Sequence, residues 1–251
     1  MIGVAVAVEA RRALASRVLR WTTLLLVVGL ALIVGGMTLA VRAGDPQVVA
    51  KLGIVADLEG WAAVSAMAAQ VTSAGALVAM GVALSWLFGR EFAEGTVAGL
   101  FALPVSRAAT AVAKLLVFLT WVAATALVLG VAVWLVGAAS GAGALDEASA
   151  TALGRQLLLG LLTGCIATPA AWAATLGRGL LPGIATTIGI VVVSQVMAVA
   201  GVGAWFPFTA PALWAIEPGT VSAAQLALVA LVPLGFGALT ALAWHRLQLD
   251  R

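Results

Sequence analysis

The chain has 251 residues, of which 63% are hydrophobic and 9% are charged. A soluble domain carries about 45–50% apolar and about 25% charged residues, so this composition excludes a water-soluble globule. The 13 basic and 10 acidic residues are spread along the chain, which excludes a basic nucleic-acid-binding arm and a charged disordered tail. The composition therefore indicates an integral membrane protein.

Six apolar stretches are long enough to cross a membrane as helices. A helical span needs about 20 mostly apolar residues to cross a hydrocarbon core of about 30 Å. The stretches lack the alternating pattern of membrane barrels, so an all-α integral membrane protein is predicted, with a single transmembrane domain over residues 1–251. The predicted spans are Trp21–Val41, Ala62–Phe88, Lys114–Gly137, Arg155–Thr175, Leu180–Gly203 and Ser222–Trp244.

The basic residues predict which side of the membrane each loop occupies. Ten of the 13 lie near the two termini or in the second and fourth loops, and three lie on the opposite side. Cytoplasmic loops carry an excess of Lys and Arg, so both termini are expected in the cytoplasm. The nine tryptophans fall at or near predicted interfaces, where an amphipathic ring is favoured. The Ala-rich composition, with more Arg than Lys, hints at a GC-rich bacterial source. The expected location is therefore the plasma membrane of a bacterium.

Residues 1–20 are expected to form an amphipathic cytoplasmic segment. A helix over residues 9–21 has one apolar and one polar face, and such a helix can lie in the headgroup layer. The alternative is simple flanking charge without a helix. The apolar face holds Ala10, Leu14, Val18 and Trp21, and the polar face holds Glu9, Arg12, Ser16 and Arg20.

The loop between the second and third spans carries the most informative pattern, GREFAEGTVAGLFALPVSR over residues 89–107. Its apolar residues recur at helical spacing, and its acidic residues cluster where they would complement the positive end of a helix dipole. Pro104 disfavours helical geometry at the residue before it. A short surface helix over 90–103 is therefore predicted, and the alternative is an ordinary connecting loop.

This loop resembles the cytoplasmic signature of ABC-2 type permeases, which place Arg-Glu, then Gly-Thr, then Leu-Pro-Val/Ile-Ser-Arg between their second and third spans. The resemblance extends to six spans, cytoplasmic termini and an amphipathic first helix. It implies that the loop is a coupling helix seated in a cytoplasmic ATPase. The residues assigned to ATPase coupling by the resemblance are Arg90, Glu91, Glu94, Gly95, Thr96, Leu103, Pro104, Ser106 and Arg107.

Residues 204–221 form a second unusual segment, on the predicted outer side. Its three prolines forbid one continuous span, and its aromatic residues favour short helices that dip into the outer leaflet. ABC-2 permeases are similar in carrying re-entrant helices between spans five and six. The candidates for an outer gate are Phe206, Pro207, Phe208, Pro211 and Glu217, and the alternative for Glu217 is an exposed carboxylate at headgroup level.

Other chemistry is predicted to be absent from this chain. Ionisable residues avoid the centres of the predicted spans, which disfavours ion coupling, and no metal site is expected. The sequence has no Gly-xxxx-Gly-Lys-Ser/Thr phosphate-binding loop, so no cofactor is expected on this chain. An energy-driven transporter of this kind needs ATP and Mg on a partner ATPase.

The resemblance implies a non-enzymatic permease subunit of an ATP-driven ABC exporter, which moves a hydrophobic or amphipathic substrate such as a drug, peptide or lipid-like molecule outward. The implied partners are separate ABC ATPase subunits, a second six-span permease in a homodimer or heterodimer, and membrane lipid, with no nucleic acid. Two alternatives stay open on the sequence. One is an ion-coupled secondary transporter, and the other is a non-transporting immunity or scaffold protein.

Overall fold

The computed structural model describes residues 2–100 and 105–248, and every regular element within them is helical. Three 3₁₀ turns, Gly53–Asp57, Gly203–Trp205 and Leu228–Ala230, and one π-helical segment, Thr72–Ala76, connect the α-helices. The α-helices are α1 Ile2–Ala15, α2 Arg17–Arg42, α3 Pro46–Leu52, α4 Gly60–Val71, α5 Leu77–Ala93, α6 Val97–Leu100, α7 Arg107–Ala139, α8 Glu147–Ile166, α9 Pro169–Leu176, α10 Leu180–Val199, α11 Ala210–Ile216, α12 Ala223–Ala227 and α13 Leu231–His245.

Six spans in the described part of the chain are long and apolar enough to cross a membrane, which confirms the predicted fold class. The second span joins α4 and α5 through the π-helical segment, the fourth joins α8 and α9, and the sixth joins α12 and α13. The spans are Arg17–Arg42, Gly60–Ala93, Arg107–Ala139, Glu147–Leu176, Leu180–Val199 and Ala223–His245.

The third and fourth spans begin about two helical turns earlier than predicted. The side chains of Ser106 and Asp146 each accept a hydrogen bond from the first turn of the helix that follows, so these helices start directly after their caps. Lys114 and Arg155 were predicted at span boundaries. They lie instead well inside α7 and α8, which brings charged side chains into both spans. The fifth span, by contrast, ends early, at Val199.

The first and last described segments, α1 and residues 246–248, lie at the same end of the helix bundle, as an even number of spans requires. The Arg107 side chain at the start of α7 donates a hydrogen bond to the carbonyl of Leu247. The Arg178 Nη2 group after α9 donates to the carbonyl of Gln248 at 2.9 Å. We call this end, which also holds α1 and the connection from α5 to α7, the termini end. The opposite end is the far end.

The first helix differs from the predicted amphipathic segment. α1 stops because Ser16 has extended backbone geometry and caps α2, so the helix does not continue to residue 21. The face of α1 that packs against α7 buries Ala5, Glu9 and Ala13, which recur every four residues. The prediction that Glu9 belongs to a solvent-facing polar side was therefore wrong.

The second and fifth spans approach each other closely through glycines. A Cβ atom added to Gly89 of α5 would lie 2.7 Å from the carbonyl carbon of Gly179, and one added to Gly81 would lie 2.2 Å from Oγ1 of Thr187. Small residues allow helices to pack at such short separations. The packing of α5 against α10 therefore depends on the missing side chains at these positions.

Two tryptophans pack inside the protein. The prediction that tryptophan rings lie in the membrane interface is therefore wrong for these two. Trp244, in the last turn of α13, is fully buried, with its Nε1 donating to Oγ1 of Thr175 at 3.0 Å. Its ring meets that of Phe88 edge-on, with 5.7 Å between the ring centroids. Trp61 of α4 is also buried and donates to the carbonyl of Gly143 at 3.1 Å. Both rings serve to close the ends of the bundle.

Candidate coupling site at the termini end

The second span continues through the start of the predicted coupling helix. Arg90 and Glu91 belong to the last turns of α5, and the Glu94 N–H caps this helix by donating to the Arg90 carbonyl at 2.8 Å. Gly95 then adopts φ +68°, a left-handed conformation that suits glycine and ends the helix. The prediction of one helix over 90–103 was wrong, because Gly95 separates α5 from the short α6.

The turn and α6 form an exposed surface at the termini end. Glu94, Gly95 and Thr96 are exposed, as are the two small residues at 98 and 99. We call residues 94–99 the coupling surface. Leu103 and Pro104, which the resemblance also assigned to ATPase coupling, lie outside the described residues. Contact of this surface with an ATPase stays a prediction.

Ser106 and Arg107, both predicted to belong to the coupling site, form hydrogen bonds at the start of the third span. Ser106 is exposed, and its Oγ accepts a hydrogen bond from the Ala109 N–H at 3.2 Å as the N-cap of α7. Arg107 is half-buried, and its hydrogen bond to the Leu247 carbonyl connects the third span to the C-terminal segment. These two residues therefore hold the start of α7 in place.

Lys114 lies at the centre of a buried cluster of charges. Its Nζ atom lies 2.7 Å from Oε1 of Glu91, 3.1 Å from Oε2 of Glu9 and 3.2 Å from the carbonyl oxygen of Leu87. An ammonium group has three donors, and all three are used here. The exposed fractions are 0% for Lys114, 3% for Glu9 and 4% for Glu91. One buried amine thus joins α1, α5 and α7.

Two arginines border this amine and its carboxylates. Nη1 of Arg12 lies 3.1 Å from Oε1 of Glu9, and this side chain is 46% exposed. Nη2 of Arg90 lies 3.6 Å from Oε2 of Glu9, with its guanidinium 4.5 Å from the centroid of the Trp86 ring. We call Glu9, Arg12, Arg90, Glu91 and Lys114 the ionic cluster. Three cations and two carboxylates give it a formal charge of +1.

Sequence reasoning missed this cluster although it named most of its members. Glu91 was expected at the surface of the coupling helix, and the structure buries it against Lys114. Lys114 was used only to predict the orientation of the loops, and Glu9 was predicted to lie on the polar face of a helix in the headgroup layer. The available signal was that Lys114 is a lone charge in an apolar stretch, where an unpaired charge is costly. Glu9 carried no such signal, because Arg11 and Arg12 follow it in the sequence.

A comparison with sequence models of protein families identifies the family of this chain. The sequence model of the family described as ABC-2 family transporter protein matches residues 19–194, more than two thirds of the chain. The chain belongs to the ABC-2 transporter family. It is a multi-pass membrane protein and the permease component of an ABC transporter. No curated protein matches its sequence significantly.

The ionic cluster joins three helices of the permease, α1, α5 and α7, at the termini end. Removing one partner of a buried ion pair costs about 3–5 kcal/mol, because the other partner is left charged in a poorly solvated site. Separating α5 from α7 would break the contact between Glu91 and Lys114 and would cost a similar amount of free energy. The coupling surface begins three residues after Glu91, directly after the buried end of α5.

The five outer-gate candidates of the permease lie at the far end, before, within and directly after α11. The rings of Phe206 and Phe208 contact each other, with centroids 5.3 Å apart, and Pro207 between them is half-buried. Pro211 is buried in the first turn of α11, which packs against α4 and α8. Glu217 is exposed after the last turn of α11. The structure brings the two phenylalanines together, and the gating role of all five residues stays a prediction.

Proposed function

We propose that this permease is the membrane-spanning subunit of an ATP-driven exporter in a bacterial plasma membrane. It moves a hydrophobic or amphipathic substrate outward and takes its energy from separate ATPase subunits, which hold ATP and Mg. The observation that carries the proposal is the exposed coupling surface at residues 94–99, which follows directly after the ionic cluster that joins α1, α5 and α7.

The termini end faces the cytoplasm in this proposal, because the ATPases that meet the coupling surface are cytoplasmic. Of the 12 basic residues in the described part of the chain, nine lie at this end or in the loops beside it, which supports the same orientation. Closure of the ATPases on ATP would press on the coupling surface. Glu91 and Lys114 then transmit the displacement to α7 and α1 rather than contacting the ATPase themselves.

A second six-span permease covers part of the apolar surface in the proposed assembly. The first and fifth spans bury much less of their surface within the chain than the second, third and fourth spans do. Both contact α5, so their exposed faces flank the second span. Leu32 of α2 and Val192 of α10 are among the exposed side chains of these faces. A substrate path between two permeases would be apolar, which suits a hydrophobic or amphipathic cargo.

Thiol cross-linking to the ATPase encoded beside the permease tests this proposal. The native Cys165 is replaced by serine, and a single thiol is introduced by Glu94→Cys on the coupling surface. The matched control carries Glu217→Cys instead, which puts a thiol on an exposed acidic position at the far end. A short reagent with one maleimide, which reacts with the introduced thiol, and one photoreactive group, which needs no thiol on the ATPase, is applied to membranes that contain both subunits.

We expect the Glu94→Cys variant to cross-link to the ATPase and the Glu217→Cys variant to give no such product. Cross-linking from the far end alone would show that the orientation is reversed. A complex that assembles and hydrolyses ATP without any cross-link from residue 94 would contradict the assignment of residues 94–99 as the coupling surface.

A further inference from the structure

A cavity of about 230 Å³ lies at the far end, between α4, α8 and α11. Pockets for drug-sized ligands are about 300–1,000 Å³, so this cavity suits a small polar group rather than a whole drug-sized molecule. Alanines and other apolar side chains form most of its walls. We call it the polar cavity because Ser65, Arg155 and Gln156 also line it.

Two polar atoms in the lining of the cavity are buried without a partner. Oγ of Ser65 and Oε1 of Gln156 make no hydrogen bond to any residue that the structure describes. Gln156 is also 97% buried, since its exposed fraction is 3%. Buried polar groups in native proteins are nearly always hydrogen-bonded. Two exceptions that line the same cavity favour a ligand that bonds to both.

The amide nitrogen of Gln156 is hydrogen-bonded within the protein, whereas its amide oxygen, Oε1, is not. Its Nε2 atom donates to Oγ1 of Thr72 at 2.6 Å, and Thr72 is fully buried at the start of the π-helical segment. Because the amide nitrogen is engaged, the remaining oxygen only accepts hydrogen bonds. The ligand must therefore offer a donor at this position.

Arg155 gives the cavity a positive charge. Its side chain is half-buried, it forms no ion pair with any carboxylate in the described part of the chain, and the cavity lining contains no acidic residue. Glu217 follows α11 directly, between the lining residues Ile216 and Pro218, but it is exposed and does not line the cavity. A guanidinium fork matches the oxygens of carboxylate and phosphate groups, so the ligand also carries an oxyanion.

We propose that the polar cavity binds a phosphoglycerol group. Its phosphate oxygens pair with Arg155, and its glycerol hydroxyls donate to Oε1 of Gln156 and bond to Oγ of Ser65. A phosphocholine group has the oxyanion but no donor and would leave Gln156 unsatisfied. The phosphoglycerol group can come from a lipid headgroup or from free glycerol phosphate. The inference is independent of the proposed export function, since its test needs no ATPase.

Binding is tested on the purified full-length permease by thermal unfolding followed through tryptophan fluorescence. Phosphatidylglycerol is titrated into phosphatidylcholine nanodiscs, and glycerol phosphate is added separately in phosphatidylcholine alone. The variants are Arg155→Gln, which removes the charge, and Ser65→Ala, which removes one hydroxyl. The matched control is Lys51→Gln, which removes an exposed positive charge from the far end without touching the cavity.

We expect phosphatidylglycerol to raise the Tm of the wild type. The half-maximal concentration should increase about tenfold or more for Arg155→Gln and about two- to tenfold for Ser65→Ala, with no change for Lys51→Gln. A matching response to glycerol phosphate would identify the free molecule as a ligand, and a response to the lipid alone would identify the headgroup. Both outcomes support the site.

An equal response of wild type and Arg155→Gln to phosphatidylglycerol would overturn the proposal, as would no response of the wild type to either probe. The Tm in phosphatidylcholine alone supplies a second readout. Arg155 has no ion-pair partner among the described residues, so its replacement should leave this Tm unchanged. A large drop would mean that Arg155 serves folding rather than binding.

Discussion

Lys114 and Glu9 lie 105 residues apart in the sequence, yet Nζ of Lys114 is 3.1 Å from Oε2 of Glu9 in the interior of the permease. This contact attaches α1, the only described helix before the first span, to the third span. The same amine reaches Glu91, the last buried residue before the coupling surface. Charges that the sequence placed at membrane boundaries therefore act as internal connections between helices.

Replacing Lys114 by Met should lower the free energy of unfolding by about 3 kcal/mol, the low end for a broken buried ion pair. Glu91 then keeps only Arg12, at 3.8 Å, while Glu9 keeps Arg12 and Arg90. Unfolding in mixed micelles measures this loss. The matched control is Lys51→Met, which changes an exposed lysine in α3 and should stay within about 0.5 kcal/mol of the wild type. A loss below about 1 kcal/mol for Lys114→Met would show that the buried carboxylates do not depend on this amine.

Replacing Gly89 by Ala should destabilise the packing of the second span against the fifth by about 1–3 kcal/mol. The new Cβ atom would meet the backbone of Gly179 and Leu180 at 2.7–2.8 Å, and backbone atoms cannot move aside alone. Gly189→Ala on α10 is the control, since a Cβ atom added there would have no neighbouring atom within 4 Å. Equal stability of the two variants in mixed micelles would contradict close packing of these spans.

Replacing Thr72 by Val should cost about 1–3 kcal/mol of unfolding free energy, because both ends of the Gln156 amide would then be buried without a partner. Thr72→Ser keeps the hydroxyl and should recover most of the loss. Thermal unfolding in the same detergent compares the two variants. Identical Tm values for them would mean that the hydroxyl at residue 72 contributes nothing.

Much of the fold was predictable because its signals are local. The six spans follow from runs of apolar residues, and the turn after α5 contains Gly95, the residue type that ends helices in a left-handed conformation. The boundaries were less predictable. Lys114 and Arg155 looked like span ends because a charge interrupts an apolar run, whereas caps at Ser106 and Asp146 start the helices earlier.

The ionic cluster and the polar cavity depend on contacts between distant segments, which no local pattern reveals. Pairing Glu9 with Lys114 requires the rotation of α1 about its axis, and this rotation is set by packing against α7. The segment over 89–107 was predicted from resemblance as one coupling element. The structure assigns its first residues, Arg90 and Glu91, to the interior end of α5 instead.

Asp146 predicts a pH dependence at the start of α8. The Ser149 hydroxyl and then the Ser149 N–H donate to its carboxylate and hold its pKa below the ordinary value of 3.8. A carboxyl group with a lowered folded-state pKa stabilises fully above its unfolded-state pKa and loses that contribution as the pH falls through the folded value. The difference in stability between wild type and Asp146→Ala should therefore be constant above about pH 5 and shrink below pH 3.8.

Thermal unfolding of both proteins across this pH range measures the difference. The direction of the pH effect is the decisive part of the result. A difference that grew on acidification, or that stayed unchanged at about pH 3, would show that the Asp146 carboxylate is not the group that titrates.

The affinity of the permease for its ATPase tests most directly the claim that the ionic cluster positions the coupling surface. Lys114→Met and Thr72→Val both remove buried interactions, but only the first lies at the termini end. Both variants are purified folded in detergent and titrated with the ATPase encoded beside the permease. The account predicts that Lys114→Met weakens binding at least about tenfold while Thr72→Val stays within about twofold of the wild type. Equal affinity of the two variants would contradict it.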